Sequence, residues 1–227
     1  MADRLDRGLA IGGRSRCPAC GSTLRLLDVF PLVGYAVNGG RCRACRAPIP
    51  VRHPLVETLG GLLWVAAFLI HGWTWDLPVA LVSITVLLSA SLSDIATKTV
   101  HDGVWIAGLV ALAAIRIADG TFLSHLFAAG ILFGLLYLIA LIAGRVMRRE
   151  ALGGGDVKLF LFVGFVLTWD AGILALFLGA LFGSVFGAFG RRRGAELPFV
   201  PFLSVGVLIA QAYGADLIAW YLRLLGR

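Results

Sequence analysis

The chain has 227 residues, 59% of them hydrophobic and 15% charged, with a mean hydropathy of +0.90. Soluble domains carry roughly 25% charged residues and roughly 45–50% apolar ones, so a soluble single domain and a disordered chain are excluded and an integral membrane protein is expected. The net charge of +7, from 20 Lys and Arg against 13 Asp and Glu, reads first as topology, because cytosolic loops of membrane proteins collect basic residues. It calls for no nucleic-acid partner.

The first stretch, residues 1–54, is polar, basic and rich in Gly and Pro. It starts without the apolar core of a secretory signal. Its cysteines form two pairs, Cys17-Pro-Ala-Cys20 and Cys42-Arg-Ala-Cys45, with 21 residues between them. Each CxxC turn gathers two thiolates on one side of a loop, and two such turns complete a tetrahedral S4 site suited to zinc. Arg14, Arg16, Arg25, Arg41, Arg43 and Arg46 surround the pairs and favour ionised thiols. A closed four-cysteine site has no open position, so the metal is expected to be structural. The expected division is a cytosolic metal-binding domain at 1–54 and a transmembrane helical domain at 55–227. No internal repeat or low-complexity tract is seen.

From Val56 on, apolar runs alternate with short polar ones. A helical span takes roughly 20 apolar residues. Candidates are Val56–Trp75, Leu77–Ser93, Gly103–Ala118 and Thr121–Gly144, then two spans within Leu159–Gly190 parted at Trp169-Asp170-Ala171-Gly172, then Leu197–Leu222. The expected fold is all-α and polytopic, with about seven transmembrane helices. Placing residues 1–54 in the cytosol and alternating sides leaves only Arg116, Arg223 and Arg227 of the basic residues outside. That imbalance sets the orientation. It makes Arg191-Arg192-Arg193 a positive-inside anchor and puts His71 and His125 at the outer interface.

Ionisable groups beside membrane spans are functional candidates. Three aspartates come to the cytosolic face in this topology: Asp94 at the end of the second span, Asp102 at the start of the third, and Asp156 after Gly153-Gly154-Gly155. Near a helix N-terminus an aspartate is ordinarily a cap, which suits Asp102 and Asp156. Asp94 stands at a C-terminal end, where negative charge is unfavourable. Two carboxylates brought together share a proton, so that one activates water while the other polarises a carbonyl. The same pair would serve a proton- or ion-coupled transporter equally well.

The ordered set of motifs resembles the type IV prepilin peptidases. Ser15-Arg16-Cys17-Pro18-Ala19-Cys20, Cys42-Arg43-Ala44-Cys45 and Arg52-His53-Pro54-Leu55-Val56-Glu57 look like that family's cytosolic domain. Asp94 with Asp102 is similar to its first aspartate motif, and Gly153-Gly154-Gly155-Asp156-Val157-Lys158 to its GxGD motif. Leu197-Pro198-Phe199-Val200-Pro201-Phe202 resembles the Pro-Phe-Gly-Pro-Phe stretch before its last span. The resemblance implies a membrane-embedded aspartyl endopeptidase of the bacterial inner membrane. Such an enzyme removes the basic leader of type IV prepilins or secretion-system pseudopilins at the cytosolic face and, by the same resemblance, N-methylates the new terminus from S-adenosylmethionine. It carries catalysis onto Asp94 and Asp156, an accessory role onto Asp102, and the metal site onto Cys17, Cys20, Cys42 and Cys45. Gly153, Gly155 and Lys158 are further accessory candidates: the glycines allow close backbone approach, and Lys158 offers charge to Asp156 or snorkels. Glu57 reads as a dipole partner of the first span, and Glu150 and Glu196 as acids facing a basic leader.

Three departures accompany the resemblance. The chain begins almost at the cysteines, which gives seven spans where eight are usual and bears on methylation most. His101 replaces the usual Pro before Asp102, and Val200 stands where Gly is usual. An inactive prepilin-binding homologue and an aspartate-based transporter are the alternatives.

Overall fold

A computed structural model describes residues 15–147, 153–190 and 198–226. Among these the chain is helical, with two isolated β-bridges. It divides into two compact units, one built largely from residues up to Ala66 and one from Ala67 on.

The first unit holds two short helices, α1 (Leu26–Val29) and α2 (Val33–Val37), and most of α3 (Arg52–His71). Asp28 fixes the turn between the short helices, accepting from the Arg25 amide and from Asn38 Nδ2, both at 2.9 Å. The Arg25 amide first, then the Asn38 side chain, hold its carboxyl below the usual carboxylate range. Glu57 accepts from the Leu32 amide at 3.0 Å and so ties α3 to this turn.

The two cysteine segments are duplicates of each other, contrary to the expectation of no repeat. The backbone bonds of the first recur 25 residues later. Cys17 N–H donates to Ser22 as Cys42 N–H does to Ala47, Gly21 to Cys17 as Arg46 to Cys42, and Leu24 to Ser15 as Ile49 to Gly40. The bridges Arg16 to Thr23 and Arg41 to Pro48 follow the same offset. The sequence carries the repeat as Arg-Cys-x-Ala-Cys, written twice. It is short enough to pass as two ordinary CxxC turns.

The second unit contains α4 (Asp76–Thr97), α5 (Asp102–Ala118), α6 (Phe122–Met147), α7 (Gly154–Val166), α8 (Trp169–Gly190) and α9 (Val200–Leu224). Among the described residues five helices are long and apolar enough to cross a membrane: α3, α4, α6, α8 and α9. The other two expected spans are shorter. α5 has 17 residues and α7 has 13, or about 20 Å for α7 at 1.5 Å per residue. The break in the long apolar run falls at Leu167 and Thr168, just before the expected Trp169. α3 starts earlier than expected because Pro54 is tolerated in a first turn, and it ends where Gly72 takes φ +57°.

α7 is the centre of this unit. Leu159, Phe160, Phe162 and Val163 are fully buried, and the helix packs against α4, α5, α6, α8 and α9. A helix apolar on every side belongs in such a place. Gly164 lies against the backbone of Ala129 on α6, with no room for a Cβ, and Gly206 on α9 meets the Ala175 carbonyl on α8 in the same way. Small residues at crossings let membrane helices approach closely.

Candidate active site and metal centre

Asp94 lies on α4 one turn before its end and is 7% exposed. Its carboxylate accepts from the Val200 amide at 3.1 Å. Val200 is the first residue of α9 and is itself fully buried. The charge that is unfavourable at the end of α4 therefore sits at the positive N-terminus of α9. The next residue, Pro201, has no N–H to offer, so Val200 is the donor that this turn supplies. A backbone amide leaves no mark in sequence beyond the Pro-rich motif that carries it. The α4–α9 contact continues below as a polar ladder: Ser91 Oγ meets Ser204 Oγ at 2.9 Å, and Ser83 donates to Gln211 Oε1 at 2.7 Å.

Asp156 stands in the first turn of α7, half-buried. Gly153 is the N-cap residue, and its backbone N–H faces the Asp156 carboxylate. That is one half of a capping box, with the acid three residues in reaching back to the cap. Asp156 also feels the charge of Asp94 directly. The structure thus brings together, from two helices 62 residues apart in sequence, the two aspartates singled out above. Gly155 packs against Val100 in the α4–α5 connection.

Asp102 stands apart from this pair in its bonding. It accepts from Trp105 Nε1 at 3.0 Å and from Lys158 Nζ at 3.2 Å. Lys158 therefore serves Asp102 rather than Asp156, through an exposed ion pair between α5 and α7. Glu150, Glu196, Arg191, Arg192 and Arg193 lie outside the described residues.

In the first unit the four Sγ atoms lie within 4.8 Å of one another, and Cys17 Sγ is 3.9 Å from Cys45 Sγ. None is in a disulfide. A tetrahedron with Zn–S bonds of about 2.3 Å has edges of about 3.8 Å, so the thiols already stand at zinc spacing. The amides of Cys45 and Ala44, ahead of the Cys17 thiol, pull Cys42 down to about 6. At Cys45 the Ala47 amide is overcome by desolvation and by the Cys20, Cys42 and Cys17 thiols, which push it up to about 11. Amides, rather than the arginines, exert the largest pull at Cys42. Four thiolates cannot share this volume without a cation, and a soft, redox-inert ion such as zinc fits.

Residues 1–71 match the family model of the bacterial peptidase A24 N-terminal domain, and residues 81–188 match that of the type IV leader peptidase family. The "Prepilin leader peptidase/N-methyltransferase" of Bacillus subtilis is 30% identical, over 94% of this chain and 87% of that protein. The Pseudomonas aeruginosa protein of the same name is 32% identical, over 93% of this chain and 76% of its own length. The one from Myxococcus xanthus is 35% identical, and this chain spans 52% of it. No solved structure matches.

Proposed function

The chain belongs to the type IV leader peptidase family, and we propose that it is a prepilin leader peptidase with N-methyltransferase activity. Its substrates are type IV prepilins or pseudopilins, whose basic leader it removes. Its place is the bacterial cytoplasmic membrane, with the cysteine domain of residues 1–54 and the active site of the 55–227 peptidase domain facing the cytosol. With seven alternating spans, seventeen of its twenty basic residues would fall on that side, which supports the orientation.

The observation that carries the reading is the pair Asp94 and Asp156, close enough to feel each other's charge and each held by a helix N-terminus. Two such groups titrate as a unit. With one proton between them, the ionised member draws a proton from water while the protonated member donates to the scissile carbonyl. The new hydroxide oxygen bonds to the carbonyl carbon, and collapse of the tetrahedral intermediate breaks the C–N bond as the amine takes a proton back. S-adenosylmethionine is the methyl donor for the exposed amine. Zinc at Cys17, Cys20, Cys42 and Cys45 is structural.

The test is a prepilin co-expressed with the chain and followed by mass spectrometry. Wild type is expected to remove the leader and add a methyl group. Asp94→Asn and Asp156→Asn are each expected to lower cleavage by about 10²–10⁴-fold, the range for loss of a general acid or base. Intact cleavage in both variants would refute the assignment. Proton flux that depends on Asp156, without cleavage, would favour a transporter instead.

A further inference from the structure

α7 stops at Val166, and its last carbonyls have no next turn to bond. Free helix-end carbonyls are costly away from water. Here side chains from two other helices take them. Arg116, in the last turn of α5, is 5% exposed. Its Nε donates to the Phe165 carbonyl at 3.1 Å and its Nη2 to the Val166 carbonyl at 3.0 Å. Its third branch, Nη1, pairs with Asp119 Oδ2 at 3.0 Å. Asp119 is held in turn by the Thr121 amide, at 2.8 Å, and by the Thr121 hydroxyl. On α6, His125 is 7% exposed, with Nδ1 3.2 Å from the Gly164 carbonyl. His125, expected at the outer interface, and Arg116 are thus both internal groups of the helical unit.

These contacts sit at the end of α7 opposite the aspartates. Asp156 is ten residues from Val166, about 15 Å along the axis. At the Asp156 end, Lys158 pairs with Asp102, so α7 is tied to the same neighbour, α5, at both ends. The outer tie is the buried one. A guanidinium can address two carbonyls and a carboxylate at once, which an ammonium cannot do.

We infer that Arg116, braced by Asp119 and assisted by His125, is a positioning residue that sets the axial place of α7 and thereby holds Asp156 against Asp94. The role rests on the reading of those aspartates as the catalytic pair. α7 is packed on every side, so its displacement travels as a rigid shift rather than fading within a turn. A shift of about 1 Å at a reacting group costs on the order of 100-fold in rate. Substrate contacts are untouched, so the loss falls on kcat.

The experiment uses the purified full-length protein and one prepilin, with rates expressed per folded molecule. Arg116→Gln is expected to lower kcat about 10- to 100-fold and leave KM within about twofold. Arg116→Lys is expected to recover part of kcat, since it reaches one carbonyl. Asp119→Asn keeps the carbonyl contacts, loosens the brace and gives an intermediate kcat; with the Lys variant it carries the test if Arg116→Gln does not fold. Wild-type kcat per folded molecule in these variants, whatever their melting temperature, would overturn the role. Cleavage by Asp156→Asn would overturn the catalytic reading itself, whereas an inactive Asp156→Asn beside a fully active Arg116→Gln would overturn only the positioning role.

Discussion

Gly21 and Arg46 hold equivalent places after the second cysteine of each knuckle, and both have left-handed backbone, with φ of +70° and +58°. Glycine takes that conformation freely, whereas an L side chain pays about 1–2 kcal/mol. Arg46 is kept there because its amide must reach the Cys42 carbonyl, at 2.9 Å. Arg46→Gly is expected to stabilise the cysteine unit by about 1 kcal/mol, read as slower amide exchange over residues 42–47. The four-cysteine cluster was legible at this scale, because CxxC spacing is a local property. Asp94 and Asp156 were legible as charges in apolar surroundings. The Val200 amide was not, since hydrogen-bond donors of the main chain look alike in sequence until a fold aims one of them.

Among the helices, hydropathy located most of the apolar runs but misjudged what their polar residues do. Arg116 and His125 were read from their neighbours, while their partners lie 49 and 39 residues away. The same holds for Lys158, which sits two residues from Asp156 yet pairs with Asp102 across 56. The stop after Val166 carries no Pro or Gly, and it depends on the carbonyl acceptors being met by other helices. The crossing of α6 and α7 depends on Gly164 against Ala129. Gly164→Leu is expected to destabilise the helical unit by about 1–3 kcal/mol through overpacking, measurable as a lower denaturation midpoint in detergent. It should also weaken cleavage, because it moves the helix that bears Asp156. A wild-type midpoint would show that the two helices do not pack here.

Taken whole, the chain joins two units that are stabilised by different means. The helical unit has a continuous apolar core running through α4 to α9. Across residues 15–51, Cys17 and Cys42 supply the only buried side chains among those described, so the thiols are the core. Small units of this kind fold on their metal. Removal of one bound zinc per chain by a chelator, or Cys42→Ser, is expected to abolish amide-exchange protection over residues 15–49 while α4 to α9 keep theirs. Protection that survives with no metal bound would mean that the thiols are not the staple. The aspartate pair and the Arg116 cluster, meanwhile, lie at opposite ends of a helix about 20 Å long, whereas the hydrocarbon of a typical bilayer is about 30 Å thick. α7 is packed among α4, α6, α8 and α9, which are each long enough to cross that thickness, so helices rather than lipid tails surround it and its polar ends. The length of one buried helix thereby fixes how far the two aspartates stand from the polar cluster at its other end, and the longer helices around it keep both apart from the acyl chains.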